Sequence, residues 1–199
     1  MSEIKIAHHL QHERAAADRT LFGLWMYIMT DLLMFAVLFA VYAVLQNSTA
    51  GGPHGHDIFS LNFVMIETLL LLTSSLTCGL ASLSAKNKDK KQLFIWLVAT
   101  FLLGATFLSL EVWEFSKLVN EGHTVSTSAF LSSYFALVGN HGLHILAGLI
   151  WIIVSLIFIS KRGLTHHMQR KINSFSMFWH FLDIVWIFIF TLVYLRAFI

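Results

Sequence analysis

The sequence predicts an all-α, polytopic membrane protein with five transmembrane helices. Of its 199 residues, 57% are hydrophobic and only 12% are charged, against about 25% charged residues in a typical soluble domain. The hydrophobic residues form long continuous runs, whereas a membrane-spanning β-barrel needs short segments of alternating polarity. A single proline and a single cysteine exclude a proline-rich linker and an intrachain disulfide.

Five apolar runs set the domain organisation. They cover approximately residues 21–46, 62–85, 92–119, 127–160 and 175–198, and each exceeds the roughly 20 residues that span a bilayer. No internal repeat is visible, so residues 21–199 are predicted to form one membrane domain. Residues 1–20 are predicted to be a polar cytoplasmic tail. Its closely spaced His8, His9 and His12 suit metal binding, but an exposed amphipathic or disordered tail is the simpler interpretation.

The basic residues predict the orientation. They lie in the tail, in the second connection and in the fourth: Lys5, Arg14, Arg19, Lys86, Lys88, Lys90, Lys91, Lys161, Arg162, Arg170 and Lys171. The first connection has no Lys or Arg, and the third has only Lys117 at its edge. The positive-inside rule therefore predicts a cytoplasmic N-terminus and an external C-terminus. The positive charge is accordingly read as topology information rather than as a nucleic-acid surface.

The predicted helices carry ionisable side chains at depths where a charge is costly. An Asp near the middle of a membrane helix costs about 2.5 to 3.5 kcal/mol on insertion scales, so such groups should face protein or water. They are Asp31, Glu67, Glu111, Glu114, His141, His144, His180 and Asp183. Glu114 is close enough to the outer end of its helix to reach the interface. A bundle with a buried polar network is predicted.

The last helix contains the most informative part of this network. His180 and Asp183 are three residues apart and therefore neighbours on one helix face, while Trp179, Asp183 and Trp186 share nearly the same stripe. Asp183 can be satisfied by its own helix neighbour or by a polar group on another helix.

Three interpretations of the polar interior compete. In the first, the histidines bind a metal. His141 and His144 lie on one face, which allows bis-His haem ligation between the fourth and fifth helices. A carboxylate di-iron site is a separate case and would need Glu-x-x-His pairs on two helices. Alternatively, Asp31, Glu67 and Asp183 form the relay of a stand-alone proton or ion transporter.

In the third interpretation the buried groups pair with one another and are structural. Gly139, Gly142 and Gly148 would then let the fourth helix approach its neighbours closely. This interpretation is favoured, because no nucleophile, phosphate loop or cofactor fingerprint accompanies the buried groups. No catalytic, cofactor-binding or metal-binding residue is assigned.

Several motifs resemble those of subunit III of the haem–copper terminal oxidases. They are G-N-H-G-L-H-I-L-A-G at 139–148, F-W-H-F-L-D-I-V-W at 178–186 and L-S-L-E-V-W-E-F at 108–115. The likeness extends from about Leu21 to the end. Three features are similar to the bacterial bo-type quinol-oxidase branch of that family. The chain has five predicted helices rather than seven, it has Asp31 where cytochrome c oxidases usually have Glu, and its loop at 47–59 resembles the quinol-oxidase loop.

The resemblance implies an accessory subunit of a proton-pumping respiratory complex in the bacterial inner membrane. The haems and copper would belong to subunit I, the main partner, and this chain would carry no cofactor. Membership of a cytochrome c oxidase is the alternative within the family.

The resemblance also implies phospholipid in a cleft between helices I–II and the bundle III–V. Lys161 and Arg162, at the inner end of helix IV, would attract an anionic headgroup, each charge contributing about 1 kcal/mol. Trp179 and His180 are the predicted wall residues.

Overall fold

The five predicted helices are confirmed. A computed structural model describes residues 2–49, 51 and 60–198, without the side chains of 2–18, 162, 166 and 167. The helices are α1 (Ser2–Leu45), α2 (Leu61–Lys86), α3 (Lys90–Asn120), α4 (Ala129–Arg162) and α5 (His166–Ile189). No strand occurs in these ranges. All five helices are long and apolar enough to cross a membrane, over Arg19–Leu45, Leu61–Lys86, Lys90–Asn120, Ala129–Lys161 and Met168–Phe198.

Local sequence signals set the helix boundaries. Asp89 caps α3 by accepting hydrogen bonds from the backbone of Lys91 and Gln92, and Ser128 caps α4 through the backbone of Leu131. Side-chain oxygens at this position satisfy amide groups that the first helical turn leaves unpaired. Gly163 follows α4 at φ 74°, a left-handed conformation that favours glycine.

The ends of the chain differ from the apolar runs. α1 begins at Ser2 rather than near residue 21, because the preceding segment contains helix formers such as Ala15 to Ala17 and neither glycine nor proline. α5 begins at His166, nine residues before its apolar run, where Thr165 caps it through the backbone of Met168. A π-helical turn at Phe190–Tyr194 and a 3₁₀ turn at Leu195–Phe198 complete the last span.

Contacts within the chain define two units, Met1–Met34 and Phe35–Ile199. In the second unit, α2 packs along α3 and against α5, while α4 packs against both α3 and α5. The expected grouping of helices I–II apart from III–V is therefore wrong for helix II. Polar contacts hold α2 in the bundle, because Thr68, Ser74 and Ser75 each hydrogen-bond a side chain of α5.

The contact between α2 and α5 forms a ladder of hydrogen bonds along both helices. Trp186 donates to Thr68 at 3.1 Å, and Ser82 donates to Asn173 at 3.0 Å. Gln169 donates to the backbone oxygen of Ala85 at 2.7 Å. This last bond places the start of α5 beside the end of α2, so the connections 87–89 and 163–165 lie at one end of the bundle. Because Lys and Arg residues cluster in and beside these two connections, this end is here called the basic end.

The orientation of the basic end is tested by labelling. Cysteine introduced at Lys88, which is exposed in the basic connection, should react with a membrane-impermeant maleimide only in inverted vesicles. Cysteine at Gly122, exposed in the connection between α3 and α4, should react only from outside intact cells. The native Cys78 is buried and should not interfere. Labelling with the opposite sidedness would contradict the positive-inside assignment.

Candidate functional site

The predicted polar residues of the second unit are largely buried. Relative exposure is at most 7% for Glu67, Glu111, Glu114, His141 and Asp183, whereas His144 and His180 are partly exposed. The burial of Glu114 therefore differs from the expectation that its side chain reaches the membrane interface. The buried groups do not form one site; they separate into a glutamate cluster, an aromatic pocket around His141 and a polar group around His180.

The glutamate cluster consists of Glu67 on α2 with Glu111 and Glu114 on α3. Each of the three lies within electrostatic range of the others. Tyr194, in the π-helical turn, donates to Glu114 at 3.4 Å, and its hydroxyl is 3.0 Å from that of Tyr134 on α4. The oxygens of Glu67 and Glu111 make no hydrogen bond to the described residues. The hydrogen bonds of Tyr194 thus join α3, α4 and the last turns of the chain away from the basic end, and Glu67 of α2 lies beside them.

His141 sits in an aromatic pocket. Its ring stacks on Trp186 at 5.3 Å and meets Phe107 edge-on at 6.1 Å. Neither ring nitrogen of His141 has a hydrogen-bond partner among the described residues. His144, by contrast, donates from Nδ1 to the backbone oxygen of Asn140 at 2.8 Å. The two histidines share contact with Phe35 but no common polar partner that is resolved.

Trp179 fills the centre of the bundle between two glycines. A Cβ atom built on Gly148 would lie 2.7 Å from the Trp179 ring, and one on Gly104 would lie 2.9 Å from it. The indole nitrogen donates to Ser74 at 3.1 Å. Close approach through Gly148 was predicted, but that through Gly104 was not. Gly139 and Gly142 have only ordinary contacts, with nearest atoms at 3.6 and 3.7 Å.

His180 joins α5 to α2 near the middle of the observed spans Leu61–Lys86 and Met168–Phe198. Its Nδ1 lies 2.7 Å from the hydroxyl of Ser75 and 3.6 Å from an oxygen of Asp183. A Ser-His-Asp catalytic triad requires the serine and the carboxylate on opposite ring nitrogens. Here both approach the same nitrogen, so the geometry is that of a polar joint between helices and not of an activated nucleophile.

The remaining expectations concern Asp31 and metal binding. Asp31, in the first unit, is buried and interacts with Tyr27 one helical turn earlier. Within the ranges that the structure describes, no group of three or more His, Cys, Asp or Glu side chains is positioned to hold a metal ion. The side chains of His8, His9 and His12 lie outside the described residues.

The predicted lipid-binding residues whose side chains the structure describes, Lys161, Trp179 and His180, lie in different environments. Lys161 is exposed at the basic end, and the side chain of Arg162 lies outside the described residues. Trp179 has no exposed surface and cannot form a lipid-facing wall. A groove of about 490 Å³ does occur at the basic end, lined by Lys90, Lys91, Phe94, Ile95 and Ser160. Sequence reasoning missed this groove because it depends on the pairing of α3 with α4.

Fold and site together define a five-helix membrane protein with carboxyl and imidazole groups buried among largely apolar helix contacts. Residues 3–198 match the protein family described as cytochrome c oxidase subunit III. The chain therefore belongs to the cytochrome c oxidase subunit III family, and it is a multi-pass protein of the bacterial inner membrane.

Individual relatives are similar over nearly their whole length. The cytochrome bo(3) ubiquinol oxidase subunit 3 of Pseudomonas aeruginosa is 52% identical over 193 residues, covering 97% of this chain and 92% of that protein. The corresponding subunit of Pseudomonas putida is 51% identical, covering 90% and 87%. The cytochrome c oxidase subunit 3 of Bacillus sp. strain PS3 is 46% identical, covering 88% and 84%.

Proposed function

We propose that this chain is the accessory subunit III of a proton-pumping ubiquinol oxidase. The observation that carries the proposal is the similarity over nearly the whole chain to two Pseudomonas proteins named as subunit 3 of such an oxidase. Its main partner would be subunit I, which would hold the haems and copper. The role of this chain would be to stabilise subunit I rather than to react with quinol or oxygen.

The enclosed polar groups support a structural role. Thr68, Ser74 and Ser75 each have one side-chain hydrogen bond that joins α2 to α5, and the Tyr194–Glu114 bond joins the last turns to α3. Within a bilayer the hydrophobic effect does not favour one arrangement of the helices over another, so interhelical hydrogen bonds of this kind help to select a single arrangement. A rigid bundle of this kind suits a subunit whose function is to support a larger catalytic neighbour.

A cytochrome c oxidase is the second candidate, because the Bacillus relative carries that name. Affinity purification through a tag on this chain tests both possibilities. The purified complex should contain a larger haem-bearing subunit and should oxidise ubiquinol with oxygen. Oxidation of reduced cytochrome c but not of ubiquinol would favour the second candidate. Recovery of the chain without any haem-bearing partner would contradict both and favour a stand-alone transporter.

Phospholipid binding belongs to the same proposal. The groove beside Lys90 and Lys91 combines two cationic side chains with the apolar walls of Phe94 and Ile95. Ser160 also lines this groove, and the next residue, Lys161, is exposed. Basic side chains at the ends of membrane helices attract anionic headgroups, each contributing about 1 kcal/mol. Ala at Lys90 and Lys91, or at Lys161 and Arg162, should lower the anionic phospholipid retained by the detergent-purified complex. Unchanged lipid stoichiometry in both double variants would contradict this part.

A further inference from the structure

A partly polar surface runs along the outward side of the α2–α5 contact. This surface, here called the α2–α5 face, comprises Ser75, Gly79 and Ser82 on α2 with Asn173 and His180 on α5, all of which are partly exposed. We propose that a transmembrane helix of a partner subunit packs on this face and places a hydrogen-bonding side chain opposite His180. The inference rests on the proposed function, because it requires a membrane partner.

The depth of His180 is the first argument. Asp183 lies midway between Met168 and Phe198, the ends of the fifth candidate span. His180 is three residues away, which is about 4.5 Å along a helix axis. Its hydrogen-bond partner Ser75 lies within about two residues of the middle of Leu61–Lys86. The centre of the α2–α5 face therefore lies near the middle of the bilayer.

The exposure of His180 at this depth is the second argument. Its side chain is 43% exposed, and both of its resolved polar contacts involve Nδ1, which leaves Nε2 for a further hydrogen bond. Asp183, whose side chain is only 7% exposed, points to the same ring from 3.6 Å and makes no hydrogen bond to the described residues. Ionisable groups in the hydrocarbon region face protein or water rather than lipid chains. His180 therefore needs cover that can hydrogen-bond.

The shape of the α2–α5 face indicates that the group packed over His180 is a helix. Ser75 and Gly79 are one turn apart, and a Cβ atom at Gly79 would meet no atom within 4 Å. Small residues at this spacing let a second helix backbone approach closely, and polar side chains then bond across the contact. Leu72, Leu76 and Ile184, all exposed, flank the polar centre with aliphatic surface. A partner helix satisfies both features, whereas a lipid chain would leave Nε2 unpaired.

Substitution of Gly79 with leucine tests the inference in the assembled complex. The open space at Gly79 should let the chain itself fold, while the added side chain occupies the position of the partner helix. Gly23→Leu is the matched control, because Gly23 is also a helical glycine with no atom within 4 Å of a built Cβ. Gly79→Leu should lower the ratio of this chain to haem in the purified complex at least about fivefold, whereas Gly23→Leu should leave that ratio at the wild-type value.

A photoreactive residue at Leu76 provides a second measurement, independent of whether Gly79→Leu accumulates. Irradiation of the complex should link Leu76 to another subunit. The inference would be overturned if Gly79→Leu kept the wild-type ratio of this chain to haem, or if both glycine variants lowered that ratio equally. A photoadduct of Leu76 with lipid alone would overturn it as well. Failure of the wild-type chain to purify with any haem-bearing subunit would instead refute the proposed function, so the two failures are distinguishable.

Discussion

Gly148→Leu should prevent the chain from accumulating as a folded protein. Even a Cβ atom at this position would lie 2.7 Å from the ring of Trp179. The ring cannot retreat easily, because its neighbouring Cη2–Cζ2 edge lies against Gly104 and its nitrogen donates to Ser74. Overpacking a well-packed core typically costs about 1 to 3 kcal/mol for small additions, and a leucine adds three further carbons.

Gly148→Ala allows the same effect to be measured quantitatively. Its midpoint of thermal unfolding in detergent should fall by about 2 to 10 °C, since 1 kcal/mol corresponds to about 2 to 4 °C in a chain of this size. The matched control is Gly139→Ala on the same helix, where the nearest atom to a built Cβ is at 3.6 Å. The control should unfold between the wild-type midpoint and about 4 °C above it, because no neighbour must move and alanine favours the helix more than glycine does. Equal midpoints for the two variants would show that Trp179 is not held between the glycines.

Trp179→Phe should rescue Gly148→Ala in part. Removal of the second ring relieves the contact with Gly148 but also removes the hydrogen bond to Ser74, so Trp179→Phe alone should be destabilising. The double variant should be more stable than the sum of the single effects predicts, because the two residues are in contact. Strict additivity would count against a direct clash.

Asp183→Leu should impair assembly of this chain into the complex, whereas Asp183→Asn should assemble and turn over near the wild-type level. The carboxylate is buried 3.6 Å from Nδ1 of His180, and leucine removes this charge contact and leaves the His180 imidazole facing an apolar side chain. Such a loss costs about 1 to 3 kcal/mol. Asn keeps the shape and part of the hydrogen-bonding capacity. The ratio of this chain to haem in the purified complex measures assembly, and oxygen consumption measures turnover.

A proton relay at Asp183 would give the opposite pattern. Asn cannot release and accept the proton in the same way, so the variant would assemble normally but turn over slowly. A tenfold loss, equivalent to about 1.4 kcal/mol on the barrier, in a fully assembled Asp183→Asn complex would replace the structural role with a relay.

The sequence predicted the helices and the interior stripes well because both depend on local patterns. The helix V stripe of Trp179, Asp183 and Trp186 is buried, as its spacing indicates. The stripe of Glu67, Ser74 and Cys78 on helix II is buried too. Charged and polar groups in long apolar helices must point inward, so their spacing fixes which side of each helix faces the bundle.

The partners of those stripes could not be predicted. The pairing of His180 with Ser75, and the cradle that Gly104 and Gly148 form around Trp179, depend on how α2, α3 and α4 are rotated and shifted along α5. Apolar composition is nearly uniform around membrane helices and does not set these rotations; packing against neighbours does. For the same reason the expected separation of helices I–II from III–V failed for α2, and Trp179 proved to be a core residue rather than a lipid-facing one.

In the function proposed above, this chain supports a haem-bearing partner and carries no redox centre of its own. The most direct measurement is the optical spectrum of each subunit after the purified oxidase is dissociated in detergent. The Soret absorption should stay entirely with the larger subunit, and the separated chain should have none. A stoichiometric haem on this chain, with His141, His144 or His180 as ligands, would refute the accessory role.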